Sequence, residues 1–310
     1  MLAVLLLVAV TGGLAAAAME KLRLSTAMSA NGAVIDQARA YASGVESLVT
    51  LIADDLVAAS PERTTLAGGW NGSTRRIPLP GGGLAEARIR DGGNCFNLNS
   101  LAEGEGAAFR TRPAAVRQLA ALLLHAGARE AEAQRIPAAA ADWADSDDVP
   151  NPGGAEDSAY RGYRTGGTLF ADVSELRAVA GMRPDLYTRV RPWLCVLPAA
   201  ELSPLNLNTL GADEAPLLAM LAPERLTAER ARSLIARRPQ AGWASAEDFW
   251  RDAALGPVPE EVRVQSQVRT SWFAVALEVE VDGALLSVES LIDARFAPSR
   301  VAARRWGSGL

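Results

Sequence analysis

Ser271-Trp272-Phe273-Ala274-Val275-Ala276-Leu277-Glu278-Val279-Glu280-Val281-Asp282-Gly283-Ala284-Leu285-Leu286-Ser287-Val288-Glu289-Ser290-Leu291-Ile292-Asp293-Ala294-Arg295-Phe296 reads as two strands joined by a tight turn. Val275, Leu277, Val279 and Val281 alternate with Ala274, Ala276, Glu278 and Glu280, which gives the strand from Ser271 to Val281 one core face and one wet face. Asp282-Gly283 is a strong hairpin signal, and the second strand runs from Leu285 to Phe296. Far upstream, Arg75 to Leu79 and Ala85 to Arg90 are two more strand candidates, separated by Pro80-Gly81-Gly82-Gly83. Between the early and late strands the pattern is helical: Ala114 to Ala126, Glu175 to Val179, Asp185 to Val190, Ala212 to Leu221, Ala228 to Arg237 and Ala246 to Ala253. The order implies one sheet interrupted by a helical insertion, with strands pairing across the insert.

Upstream of the strands lies one long helix. Leu2 to Ala18 is apolar apart from Thr11 and two glycines, about one bilayer's worth of helix at the short end of the range, and Glu20, Lys21 and Arg23 follow. Val34, Ala38, Tyr41, Ala42, Val45, Leu48, Val49, Leu51 and Ile52 then mark an apolar face at helical spacing up to about Leu56. A cleaved secretory signal is the rival reading of the first segment, since Ala15 to Ala18 offers small residues for a peptidase, but a basic n-region is absent. Under either reading the body is exported.

Export bears on the cysteines. Cys95 and Cys195 are the only two, and they are either free thiols or one disulfide closing a long loop; an oxidising compartment favours the disulfide. Shortly after each comes a similar phrase, Asn97-Leu98-Asn99-Ser100-Leu101 and Asn206-Leu207-Asn208-Thr209-Leu210. Each reads as an Asn turn launching a helix capped by Ser100 or Thr209, with Ser100 and Glu103 at capping-box spacing. The 310 residues suffice for one large or two ordinary domains, and a net charge of −5 gives no electrostatic reason to expect nucleic acid. A single histidine, His125 at a helix end, and two distant cysteines exclude a multi-His or Cys-rich zinc site. No nucleophile elbow, Walker loop or dinucleotide fingerprint is present, and no residues are assigned a catalytic role.

Two stretches carry the remaining chemistry. Asp142, Asp145, Asp147, Asp148, Glu156 and Asp157 crowd together with no basic residue among them, in a loop containing Pro150, Asn151, Pro152, Gly153 and Gly154. Asp145, Asp147 and Glu156 occupy positions one, three and twelve of an EF-hand count, whereas Val149 and Pro150 stand where an oxygen ligand and the obligate Gly belong. An irregular calcium loop and a solvated acidic loop both fit this composition. Leu205 to Trp250 looks like a helix-hairpin-helix, a module that grips DNA phosphates through backbone N–H groups. Its turn, Leu221-Ala222-Pro223-Glu224-Arg225-Leu226, has no glycine and carries an anion where phosphate would approach, so a packing role is the better fit. A periplasmic DNA-binding module of the competence type is the alternative function, and an exported calcium-dependent hydrolase a more distant one.

The apolar helix running into an amphipathic one, then Asp91-Gly92-Gly93-Asn94-Cys95-Phe96-Asn97-Leu98-Asn99, Asp142-Trp143-Ala144-Asp145 leading to Gly154-Ala155-Glu156-Asp157, and Asn206-Leu207-Asn208-Thr209, resemble in that order the K-type minor pseudopilins of bacterial type II secretion (general secretion pathway protein K). The resemblance covers most of the chain. It implies an α+β pseudopilin fold, a long N-terminal helix packed on an antiparallel sheet and interrupted by a large all-α insertion. The corresponding segments are 1–23 (membrane-spanning), 24–96 (first part of the core), 97–260 (inserted helical domain) and 261–310 (last strands). It further implies structural Ca2+ held by the acidic loop, with Asp142, Asp145, Asp147, Glu156 and Asp157 as the ligand pool and Asp148 beside it. Implied partners are the I- and J-type minor pseudopilins, other pseudopilins and the inner-membrane platform, with no nucleic acid. The implied role is a non-enzymatic tip subunit that starts or caps a pseudopilus, anchored once in the inner membrane with a periplasmic body. The family's basic leader does not precede Leu2, which a start codon placed too far downstream would explain. Nothing from Leu2 to Met19 is acidic, in keeping with the K type.

Overall fold

The computed structural model describes residues 1–106 and 108–307. A single helix, α1 (Leu2–Ala59), runs from the N-terminus, and its second half lies on a five-stranded antiparallel sheet. The strands are β1 (Thr74–Pro78), β2 (Leu84–Asp91), β3 (Trp272–Val281), β4 (Ala284–Asp293) and β5 (Arg300–Trp306), in that spatial order. The sheet is thus a simple meander whose β2 and β3 pair directly, Asp91 opposite Phe273, although the chain between them builds the whole helical part.

Alternation sets the packing. Val275, Leu277, Val279 and Val281 are buried, while Ala276, Glu278 and Glu280 are exposed. The buried set meets Ala38, Ala42, Val45, Val49 and Ala53 of α1 together with Ala85, Ala87 and Ile89 of β2. Small residues on α1 let the helix approach the sheet closely. At the β3–β4 turn Asp282 and Gly283 both have positive φ (47° and 79°), the geometry that matches the twist of the flanking strands. Glu46, buried on the sheet-facing side of α1, accepts hydrogen bonds from Ser290 of β4 and from Arg304 of β5, tying helix to sheet edge. Glu46→Ala leaves these two donors unmatched and is expected to cost about 1–3 kcal/mol, measured by denaturant unfolding.

A second buried cluster forms the helical part. It contains α2 (Pro113–His125), α3 (Glu130–Ala144), α4 (Pro184–Val190), α5 (Ala215–Ala219), α6 (Ala228–Ala236), α7 (Ala246–Asp252) and α8 (Glu260–Gln265). Here α3 departs from the sequence reading, which left Asp142 in a loop. The helix carries an interior proline, Pro137, yet persists because its face from Ile136 to Ala144 is almost entirely buried. Glu175 to Val179 forms only a 3-10 turn, Val173–Arg177. The first Asn phrase also differs. Leu98–Leu101 is a 3-10 turn that runs into a strand, Ala102–Glu105, paired with Ala108–Thr111, so no α-helix follows it and Glu103 bonds Arg110 and Arg112.

What the Asn phrases do is close the helical part in two steps. Phe96–Asn97 pairs in parallel with Leu194–Cys195, and Leu205–Asn206 pairs in parallel with Ser266–Gln267. The Oδ1 of Asn97 accepts from Asn99 N (3.1 Å) and Leu197 N (3.0 Å), and its Nδ2 donates to the carbonyls of Ala199 and Glu201. Asn206 repeats the design: its Oδ1 accepts from Asn208 N (2.9 Å), and its Nδ2 donates to Thr64 O and Thr270 Oγ1. Both asparagines are fully buried, so each joins segments distant in sequence and satisfies their backbone groups. Cys95 and Cys195 form a disulfide beside the first clasp, with Cα atoms 5.7 Å apart. Asp91, at the end of β2, accepts from Thr209 and Thr270 at the junction with the sheet, and burial raises its carboxyl to about 6.

Candidate functional site

Carboxylates gather where α3 ends. Its last turn leaves Asp145 as the C-terminal flanking residue, and the loop that follows folds back so that Asp145, Asp147 and Glu156 bring one oxygen each within 4.8 Å of one another. Asp145 and Glu156 are 2% and 5% exposed, while Asp147 is open to solvent. The Oδ1 of Asp145 and the Oε1 of Glu156 are buried and find no hydrogen-bond partner among the described residues. Buried carboxylate oxygens without a partner are costly unless a counter-charge meets them, and oxygen-only donors of this kind suit a hard cation such as Ca2+ or Mg2+.

The local electrostatics agree. Burial, then repulsion from Asp147 and Asp142, raises the Asp145 carboxyl to about 6 against the opposing hydrogen bond from Thr111. Glu156 is pushed up to about 7, first by burial and then by Asp142, Asp145, Asp147 and Asp148. Both folded values lie above those of an unfolded chain, so their contribution to stability is present below about pH 4 and lost as pH rises through about 6 to 7. In chelator at pH 8, a double variant Asp145→Asn, Glu156→Gln is therefore expected to melt above the wild type, and at pH 4 the advantage should vanish. A wild type that melts higher than the variant at pH 8 in chelator would contradict this.

The ligand pool read from the sequence, Asp142, Asp145, Asp147, Glu156 and Asp157, is divided by the structure. Asp145, Asp147 and Glu156 converge. Asp142 is fully buried, and both its oxygens are already engaged by backbone N–H groups, Oδ1 by Asn151 N (3.0 Å) and Oδ2 by Ala155 N (2.6 Å). A Cβ on Gly154 would sit 2.0 Å from Asp142 Oδ2, so the loop needs a glycine there. Asp157 points elsewhere. Its Oδ1 accepts from Thr165 N and Oγ1, which together hold its carboxyl below the usual range, and Arg164 lies 3.7 Å from Oδ2. Asp148 is exposed and outside the converging trio. Sequence reading missed Thr111, whose hydroxyl donates to Asp145 Oδ2 (2.9 Å) from the hairpin strand Ala108–Thr111, and gave no role to Asn151, whose Nδ2 donates to Thr111 Oγ1 (2.6 Å). No local pattern announces a partner so far upstream as Thr111.

In the helix-hairpin-helix region three arginines are spent on backbone carbonyls, while Arg232 and Arg237 are exposed. Arg225 donates to the carbonyls of Leu255 and Pro257, Arg230 to that of Ala253 and Arg238 to that of Leu210. Guanidinium groups engaged on backbone carbonyls are withdrawn from phosphate contacts, so Arg225, Arg230 and Arg238 serve packing.

Two family models, both described as type II secretion system (T2SS), protein K, match residues 94–199 and 205–270. These are the two stretches that the Asn clasps open. The type II secretion system protein K of Pectobacterium carotovorum is 35% identical over 87% of this chain and 84% of that protein. The Pseudomonas aeruginosa protein of the same name is 32% identical over 100% of this chain and 92% of its own length. One chain of the GspK-GspI-GspJ complex from enterotoxigenic Escherichia coli superposes with a TM-score of 0.75 at 30% identity, covering 88% of this chain and 97% of that one. The likeness thus takes in most of the chain, sheet and helical body alike, and the chain belongs to the type II secretion system protein K family.

Proposed function

We propose that this protein is a non-enzymatic minor pseudopilin that stands at the tip of a type II secretion pseudopilus, assembled with I- and J-type minor pseudopilins. The observation that supports this most is the likeness of nearly the whole chain to a subunit of a GspK-GspI-GspJ complex. The helical body adds a physical reason for the tip. A body wider than the shaft cannot repeat along a tightly packed filament, so one copy at the end is the permissible stoichiometry. In this reading the first part of α1 spans the inner membrane once and the body is periplasmic; a mean hydropathy of 2.4 over its apolar window is in keeping with such an anchor. Gly44, Ser47, Leu48 and Leu51 are exposed on the side of α1 turned away from the sheet, and partner helices would cover them. Co-expression with I- and J-type pseudopilins should yield a ternary complex. Leu51→Glu should weaken that complex at least tenfold, read by co-purification, without lowering the protein's own melting temperature. A protein that ignores both partners at micromolar concentration would overturn the proposal.

The reading includes Ca2+ at Asp145, Asp147 and Glu156. The ion would supply the positive charge that lets three carboxylates stay ionised together, and so lock the loop against α3. Ion binding to the folded state alone stabilises it by about 2.7 kcal/mol at a hundredfold excess over the dissociation constant. Thermal melts of the full chain in detergent, with calcium and with chelator, test this, and Trp143 beside the site offers a fluorescence readout. Equal midpoints would remove the metal.

A further inference from the structure

Asn151, Thr111 and Asp145 form a chain of hydrogen bonds whose direction the donor inventory fixes. Asn151 Nδ2 has two N–H groups; one goes to Asp142 Oδ1 and the other to Thr111 Oγ1 (2.6 Å). Because the Thr111 oxygen already accepts, its single proton is free for Asp145 Oδ2, 2.9 Å away. That hydrogen bond holds one carboxylate oxygen of Asp145 and leaves the other, Oδ1, buried and, among the described residues, without a partner of its own. Asp142 is the fixed end of the chain. Fully buried and without contact to solvent, it accepts from Asn151 N, Asn151 Nδ2 and Ala155 N, and so clamps both sides of the loop that carries Asp147 and Glu156. Asp147 shows the same division of labour, since its Oδ1 accepts from Val149 N (2.8 Å). Each aspartate of the trio therefore commits one oxygen to the fold.

We infer that Asp142, Asn151 and Thr111 are positioning residues for the cation site: the relay from Asp142 through Asn151 to Thr111 orients Asp145 as a single-oxygen ligand, and Asp142 itself contributes no ligand oxygen. This rests on the cation reading given above. Groups that orient a ligand without touching the ion typically change metal affinity 10- to 100-fold when removed.

Calcium titrated into the chelator-treated full chain in detergent, followed by calorimetry, separates the two ideas. Thr111→Val removes the hydroxyl and keeps the side-chain volume; it should raise the dissociation constant at least tenfold. Thr111→Ser restores the hydroxyl and should bind within about twofold of wild type, which also controls for folding, and Asn151→Ala should resemble Thr111→Val. The calcium-free melting temperature of Thr111→Ser and Thr111→Val should agree within a few degrees, so that the difference lies in the ion. If Asp145→Asn abolishes binding but Thr111→Val and Asn151→Ala bind like wild type, the relay is wrong and the site stands. If the wild type binds no calcium, site and relay fall together.

Discussion

Replacing Cys95 and Cys195 together by alanine is expected to destabilise the protein by about 4 to 5 kcal/mol, the largest single effect foreseen. The bridge closes a loop of 100 residues, and in the chain-entropy account a loop of that length stabilises by about 4.7 kcal/mol, mostly by restricting the unfolded state. Cys195 lies in the parallel ladder Phe96–Asn97 with Leu194–Cys195 and Cys95 immediately precedes it, so the covalent and hydrogen-bonded closures lie side by side. Reduction of the wild type should reproduce the loss. Chemical unfolding monitored by far-UV circular dichroism, with and without reductant, measures it; a loss under 1 kcal/mol would mean that the ladder alone closes this part of the chain.

Asn206→Ala should cost about 3 to 5 kcal/mol although it removes only a few atoms. The variant leaves Thr64 O, Thr270 Oγ1 and Asn208 N without their side-chain partner in a buried place, and each orphan costs roughly 1–3 kcal/mol. Thr270 also donates to Asp91, so the damage passes to the end of β2. Asn206→Asp should be no milder, because it puts an acceptor against the carbonyl of Thr64. An exposed amide on the same chain, Gln240, is the control, and its replacement by alanine should change stability by less than about 0.5 kcal/mol. Parity between the two substitutions would show that Asn206 is not a structural node.

The sheet was legible where a period of two met a turn dipeptide, as in Trp272 to Asp293. It was illegible in β5, because Arg300-Val301-Ala302-Ala303-Arg304-Arg305-Trp306 lacks alternation, has Val301 as its one β-branched residue, and is an edge strand specified by its neighbour, β4. Helix α3 was missed because its run of alanines is nearly featureless and Pro137 signals a break; only the surrounding core reveals it. The Asn phrases were recognised as turns but assigned the wrong duty. Their side chains reach across the molecule rather than along the chain, and a single sequence records no such contact. The same distinction divides the acidic site. Asp145, Asp147 and Glu156 declared themselves by local count, whereas the withdrawal of Asp142 and Asp157 follows from N–H groups that only the folded loop brings to them.

The direct pairing of β2 with β3 has an architectural consequence. Gly92 N donates to Trp272 O, so the chain leaves the sheet and returns to it at one point, as if a hairpin loop had been allowed to grow. Closing a flexible loop costs only about 0.6 kcal/mol more for each doubling of its length, so the sheet is nearly indifferent to the size of what hangs from that point. The position is a socket. A short glycine-containing turn between Asp91 and Trp272 would leave a compact helix-and-sheet unit, and a foreign domain whose ends lie a few ångströms apart could be seated in the same place, carrying a reporter to wherever this subunit goes.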